Sequence, residues 1–164
     1  MGLIQPYANN HHNPSRPGDG RPTAIQIVED QQLIGKWAGR VALRSEDAAQ
    51  TFLEKSQSLH VLVNNAGVLG CLKQITGEGV DTHFATNYLG HFLLFQLLKA
   101  SLLASTRDFE VHVVNVASVA HRLGTYDLED LTFENRAYEA STAYGASKLA
   151  TVHFANEIER RYGA

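Results

Sequence analysis

Two apolar runs, Leu59-His60-Val61-Leu62-Val63 and Val111-His112-Val113-Val114-Asn115-Val116-Ala117, read as buried strands. Between them, from about Asp81 to Ser105, Phe84, Tyr88, Phe92, Phe95, Leu98 and Leu102 recur at helical spacing and mark the longest helix. Strand, helix, strand is the order of an α/β chain. A shorter β-prone segment, Gly39-Arg40-Val41-Ala42-Leu43, precedes them. After it Ser45 is a plausible N-cap, with Glu46 and Asp47 in a first turn where the helix dipole favours acids. Ala48, Ala49, Phe52 and Leu53 give that helix an apolar face, and it is expected to end near Gln57. A final helix is expected from Ala143 to Tyr162. The residues therefore offer three candidate strands set among helices.

With 164 residues, 44% of them apolar and 19% charged, the chain has the length and composition of one globular domain with a real core. A net charge of −3 without a basic stripe argues against nucleic acid as a partner. Cys71 is the only cysteine, so an intramolecular disulfide framework is excluded. The start, Met1-Gly2-Leu3-Ile4-Gln5-Pro6, lacks the pattern of a signal peptide. His91, Gln96 and Lys99 interrupt the most apolar stretch, Tyr88 to Ala104, which argues against a membrane span. A cytoplasmic location is expected. All four prolines lie within residues 1–22, a segment that reads as a disordered arm ahead of a domain over 23–164. His11-His12 has no partner ligands at sensible spacing, so no metal site is expected. Thr23-Ala24-Ile25-Gln26 has the form of a capping box, opening a short helix that Gly35 can close.

The chemistry concentrates in Tyr144-Gly145-Ala146-Ser147-Lys148. A spacing of four on a helix stacks Tyr144 and Lys148 on one face, a turn apart. A phenol titrates at about 10 and an ammonium at about 10.4, so neither alone moves protons at neutral pH. Held together, the cation favours the phenolate and draws the tyrosine toward a useful range. Ser118 ends the second apolar run, and ligands of open α/β sheets bind beyond the carboxyl ends of strands. A hydroxyl there can hold a carbonyl oxygen while the tyrosine gives or takes its proton. The plain alternative is a half-buried tyrosine beside a solvated lysine, and the neighbouring motifs decide between the two.

Asn64-Asn65-Ala66-Gly67 directly follows the first apolar run. Small and amide side chains there either admit a ligand's sugar or phosphate, or bond neighbouring backbone and fix a turn. Asn87 lies beside the apolar stripe, where an unpaired amide is costly, so it either bonds neighbouring backbone or holds water near the site. His83 and His91 are expected to be partly exposed and not to be ligands. Residues 119–140 read as a polar loop with aromatic anchors, Tyr126, Phe133 and Tyr138, which suits contact with an apolar substrate.

Taken together, Asn64-Asn65-Ala66-Gly67, Asn87, Ser118 and Tyr144-x-x-x-Lys148 resemble the short-chain dehydrogenase/reductase family in order and spacing, over about residues 36 to 162. The wider text, Thr86-Asn87-Tyr88-Leu89-Gly90-His91-Phe92 and Val113-Val114-Asn115-Val116-Ala117-Ser118, is most similar to its retinol-dehydrogenase-like and WW-domain-oxidoreductase-like branch. The resemblance implies a Rossmann-like, doubly wound parallel sheet. It also implies hydride transfer between NAD or NADP, the branch favouring NADP, and a small-molecule carbonyl or alcohol. By the same resemblance Tyr144 would be the acid/base, and Lys148 would lower its pKa. Both would touch the nicotinamide ribose. Ser118 would polarise the substrate oxygen and Asn87 would hold a water in a proton relay. Asn64, Ala66 and Gly67 would line the cofactor's adenosine side and brace the central sheet.

The chain departs from the family pattern after Arg40-Val41-Ala42-Leu43. Family members follow their first strand with a Thr-Gly-x-x-x-Gly-x-Gly turn, and Arg44-Ser45-Glu46-Asp47 stands here instead. Those glycines let backbone and a helix N-terminus approach the pyrophosphate. A βαβ unit takes roughly 30 residues, and only about 20 separate Leu43 from Asn64. The chain also stops before the strand and Pro-Gly loop that close over the nicotinamide in the family. The expectation is a partial Rossmann-like domain, internally deleted and C-terminally truncated, with its catalytic side chains kept and its cofactor binding impaired. The alternative is a non-catalytic fragment that pairs as a homodimer, or with a full-length relative, through helices 81–105 and 143–162.

Overall fold

The structure is a computed structural model and describes residues 41–163. The expected arm over 1–22, the expected helix from Thr23 to Gly35, and Gly39 and Arg40 lie outside the described residues. Helix α1 (Val41–Lys55) comes first. It overturns the expected strand, because Val41, Ala42 and Leu43 form its opening residues. Fifteen residues without Gly or Pro, rich in Ala, Leu, Arg, Glu and Gln, outweigh the β preference of a short run. Burial of Ala48, Ala49 and Phe52 supplies the tertiary stabilisation that a short helix needs. Ser45 is consequently not the N-cap. It lies inside the helix and donates its hydroxyl to the Gly90 carbonyl at 2.8 Å, and the first turn holds no acid.

Strands β1 (Val61–Asn64) and β2 (His112–Asn115) pair in parallel, Val61 opposite His112 and Asn64 opposite Asn115. Among the described residues the sheet has these two strands and not three, since the remaining candidate is helical. The register carries its own pin: Asn64 Nδ2 donates to Asn115 Oδ1 at 2.8 Å across the last pair. A one-residue slip would turn Asn64 to the opposite face and break that bond. Leu62 and Asn64 face the helices and are buried, whereas His112 and Val114 on β2 are exposed.

The crossover between the strands runs through α2 (Thr82–Ser105). Asp81 caps it: Oδ2 accepts from the backbone N–H of His83 at 2.9 Å and of Phe84 at 3.2 Å. Ala85–Leu89 widens into a π turn before the α-helix resumes over Gly90–Ser105. The extra residue of a π turn rotates the helix beyond it, so Phe95, Leu98 and Leu102 face inward while Phe92 reaches the surface edge. This helix is long and apolar enough to cross a membrane by length and composition. Here its inner face forms the domain core with Phe52, Leu62 and Phe154.

After β2, Ser118 caps a 3-10 helix (Val119–Leu123), its Oγ accepting from the Ala120 N–H at 3.2 Å. The expected polar loop is thus partly structured. Its aromatics are fastened: Phe133 is buried, and the Tyr126 and Tyr138 hydroxyls are engaged by His153 and by the Cys71 carbonyl. Helix α3 (Ala140–Tyr162) starts three residues before the expected Ala143. Small residues line its inner face, and the closest approach is at Gly145. A Cβ there would lie 2.7 Å from the Ala120 carbonyl oxygen, and one on Gly124 would lie 2.2 Å from that of Gly145. Two glycines therefore let the 3-10 segment and α3 touch backbone to backbone.

Candidate active site

The carboxyl end of the sheet collects most of the expected site. Lys148 is only 4% exposed, and its Nζ donates to the Val116 carbonyl at 2.7 Å, two residues before Ser118. Burial lowers its pKa. An ammonium has three N–H donors, and the Val116 bond is the one hydrogen bond Nζ makes among the described residues. The Tyr144 ring centroid lies 5.8 Å from that nitrogen. Tyr144 is half-buried, and its hydroxyl makes no hydrogen bond among the described residues. Ser118 is half-buried at the start of the segment that the paired glycines press onto α3.

Asn87 is fully buried and its amide is heavily used. Oδ1 accepts from the Val68 N–H at 2.8 Å, while Nδ2 donates to the Val68 carbonyl at 3.1 Å and to Ser147 Oγ at 2.9 Å. Of the two sequence alternatives for this residue, the bonded backbone is therefore present: Asn87 ties the loop after β1 to α3. Its carbonyl takes His91 Nδ1 at 3.0 Å and the Thr151 hydroxyl at 3.3 Å. A carbonyl can only accept, so His91 carries its proton on Nδ1. His83 and His91 are not partly exposed as expected, since exposures of 0% and 8% bury both. His83 is enclosed by Cys71, Asp81, Tyr138 and the Tyr144 ring, and His91 is drawn in by its bond to the Asn87 carbonyl. Desolvation, opposed in part by the Asn87 bond and reinforced by Lys148, drops the His91 pKa to about 4.

Asn64 turns inward as the brace of the sheet and is 1% exposed, leaving half-buried Ala66 and exposed Gly67 at the open surface. A Cβ on Gly67 would stand 3.3 Å from Asn87 Oδ1 and 3.7 Å from Lys148 Nζ. The glycine thus keeps a cradle open beside the ammonium. Sequence reasoning missed Ser147, which is fully buried and donates to the Tyr144 carbonyl at 2.7 Å. The signal was there: Ser147 and Thr151, four apart, make a polar stripe on an otherwise small-residue face.

The site thus sets a buried amine 5.8 Å from the ring of a half-buried phenol, near the strand ends of a parallel sheet. The short chain dehydrogenase family model matches residues 26–164, and the chain belongs to that family. It is 34% identical to the short-chain dehydrogenase/reductase prx1 of Penicillium rubens, over 99% of this chain and 68% of that protein. It is 45% identical to human retinol dehydrogenase 12 over 69% of this chain, which is 34% of that enzyme's length. Among solved structures, an uncharacterised Mycobacterium paratuberculosis protein superposes with a TM-score of 0.58 at 35% identity, covering 70% of this chain and 40% of that one. The Pseudomonas aeruginosa RhlG/NADP complex gives 0.52 at 25% identity, over 73% and 43%. The sheet, the crossover helix and α3 are thus part of a Rossmann-like fold, and the chain spans well under half of these solved relatives.

Proposed function

We propose that this chain is a short-chain-dehydrogenase-type oxidoreductase that transfers hydride between NADP(H) or NAD(H) and an apolar carbonyl or alcohol. The observation that carries the reading is the Lys148 ammonium, buried, held by Val116 and within reach of the Tyr144 phenol. The cradle at Gly67 and the N–H groups of Lys148 not used by Val116 suit a ribose diol. The nicotinamide cofactor, when bound, supplies the hydride chemistry. Tyr144 gives the proton to the carbonyl oxygen in reduction and takes it back in oxidation. Lys148 places positive charge beside the phenolate, and Ser118 aligns the substrate oxygen. Asn87 holds the loop after β1 and α3 in register, with Asn64 bracing the sheet below Ala66 and Gly67. The NADP held by RhlG supports NADP as the cofactor. The proposal includes a weakened cofactor affinity, because residues 36–44 of the sequence carry no Thr-Gly-x-x-x-Gly-x-Gly turn to cradle the pyrophosphate. The reading places the domain at residues 23–164 and the protein in the cytoplasm.

Titrating NADPH fluorescence against the purified chain tests this. Saturable binding is expected, and Lys148→Met should weaken it by on the order of tenfold, the loss of one charge-assisted hydrogen bond. Equal affinity in the two proteins would remove Lys148 from the cofactor site. A second reading, pairing of two copies through α2 and α3, is supported by Phe92, Leu97, Leu103 and Tyr162, large apolar side chains exposed on those helices. Sedimentation giving a monodisperse monomer would end it.

A further inference from the structure

One fully buried titratable pair beside the site has no part in the chemistry above. His83 has no exposed surface, and both its ring nitrogens are engaged. The Cys71 N–H points at Nε2 at 3.3 Å, so Nε2 bears the lone pair and Nδ1 the proton. Nδ1 then faces the Tyr138 hydroxyl oxygen at 3.3 Å and Asp81 Oδ2 at 3.4 Å. The Tyr138 hydroxyl donates its own hydrogen bond to the Cys71 carbonyl at 2.9 Å. The circuit closes with every donor and acceptor consistent: Cys71 N–H to His83, His83 to Tyr138, Tyr138 to the Cys71 carbonyl. It joins the loop after β1 to the segment before α3, with the imidazole in the middle. That imidazole also meets the Tyr144 ring edge-on, centroids 6.3 Å apart and planes at 72°.

We propose that His83 is a positioning residue for Tyr144: its ring edge fixes the phenol's orientation while its nitrogens hold the two loops on either side. The proposal rests on Tyr144 being the acid/base, and it deepens that reading. No hydrogen bond from the Tyr144 hydroxyl to a described residue sets the ring's direction, so ring contacts must do so. The Lys148 ammonium at 5.8 Å from the ring centroid is one such contact and the His83 ring is another. A misplaced reacting group costs rate with little effect on binding.

Two variants separate the ring from its nitrogens. His83→Gln keeps an acceptor for Cys71 and a donor for Tyr138 but removes the aromatic edge. His83→Phe keeps the edge and breaks the circuit. In the full chain labelled with 3-fluorotyrosine, Tyr144→Phe identifies the Tyr144 fluorine signal. That signal should move in His83→Gln, while the thermal midpoint holds. In His83→Phe the midpoint should fall, and the signal should stay nearer its wild-type position. With NADPH and an apolar aldehyde, His83→Gln should lower kcat on the order of tenfold to a hundredfold with the KM for NADPH unchanged. A Tyr144 signal unmoved in His83→Gln would overturn the proposal, as would a KM effect with kcat intact. A wild-type chain without turnover would defeat the proposed function alone, and the fluorine signal would then decide on His83.

Discussion

The polar groups packed around this site are held by identifiable contacts, which makes their effects separable. His91 shows this best. Its imidazole is neutral when folded, with a pKa of about 4 against an ordinary 6.5, chiefly through desolvation. Between those values the unfolded chain binds a proton that the folded chain does not, so stability falls as pH drops through the window. The contribution approaches about 3 kcal/mol by the low end. Urea unfolding at pH 7 and pH 4.5 should therefore show a steeper loss for the wild type than for His91→Gln, which retains a donor for Asn87. Parallel slopes would mean the imidazole is not buried neutral. Gly145 gives a second residue-level expectation. The added methyl of Gly145→Ala meets the Ala120 carbonyl, and displacement of the Ser118 segment should cost about 1–3 kcal/mol in urea. A neutral outcome would mean that the two backbones are not in contact.

At the scale of elements, the cross-strand amides explain both register and cost. Beside the bond from Asn64 Nδ2 to Asn115 Oδ1, the other two amide atoms, Asn64 Oδ1 and Asn115 Nδ2, are buried with no partner among the described residues. Asn64→Leu should destabilise by about 1–3 kcal/mol, because it leaves the Asn115 amide buried and unpaired. Pairing it with Asn115→Leu should restore part of that loss in a double-mutant cycle, and strict additivity would deny the coupling. The helices and two of the strands were legible because their periods are strong: the stripe from Phe84 to Leu102 and the valine runs each have one reading. The Val41–Leu43 part of the expected first strand was not. A short run of mixed propensity carries little information, and the helical run behind it extended backward to Val41. The π turn and the buried histidines were also invisible. A polar residue's burial depends on which partner element arrives, and α3 arrives from sixty residues away. The closeness of Tyr144 and Lys148 was legible because residues four apart on a helix share a face, and the structure has the Lys148 nitrogen 5.8 Å from the Tyr144 ring centroid.

At the scale of the whole molecule, the described residues form two strands and three long helices, with Val114 in β2 and Val116 just beyond it 45% and 37% exposed. The core that remains is continuous through Phe52, Leu62, Leu98 and Phe154. Leu98→Ala, at a position with no exposed surface, should then cost about 2–5 kcal/mol in a cooperative melt. A loss far below that would mean the helices do not share one core. The central claim is that the Tyr144 phenol moves the substrate's proton, and NADPH consumption with an apolar aldehyde tests it most directly. The wild-type chain is expected to turn over and Tyr144→Phe to lose that turnover at saturating NADPH, with folding kept. Turnover by Tyr144→Phe at the wild-type rate would contradict the account.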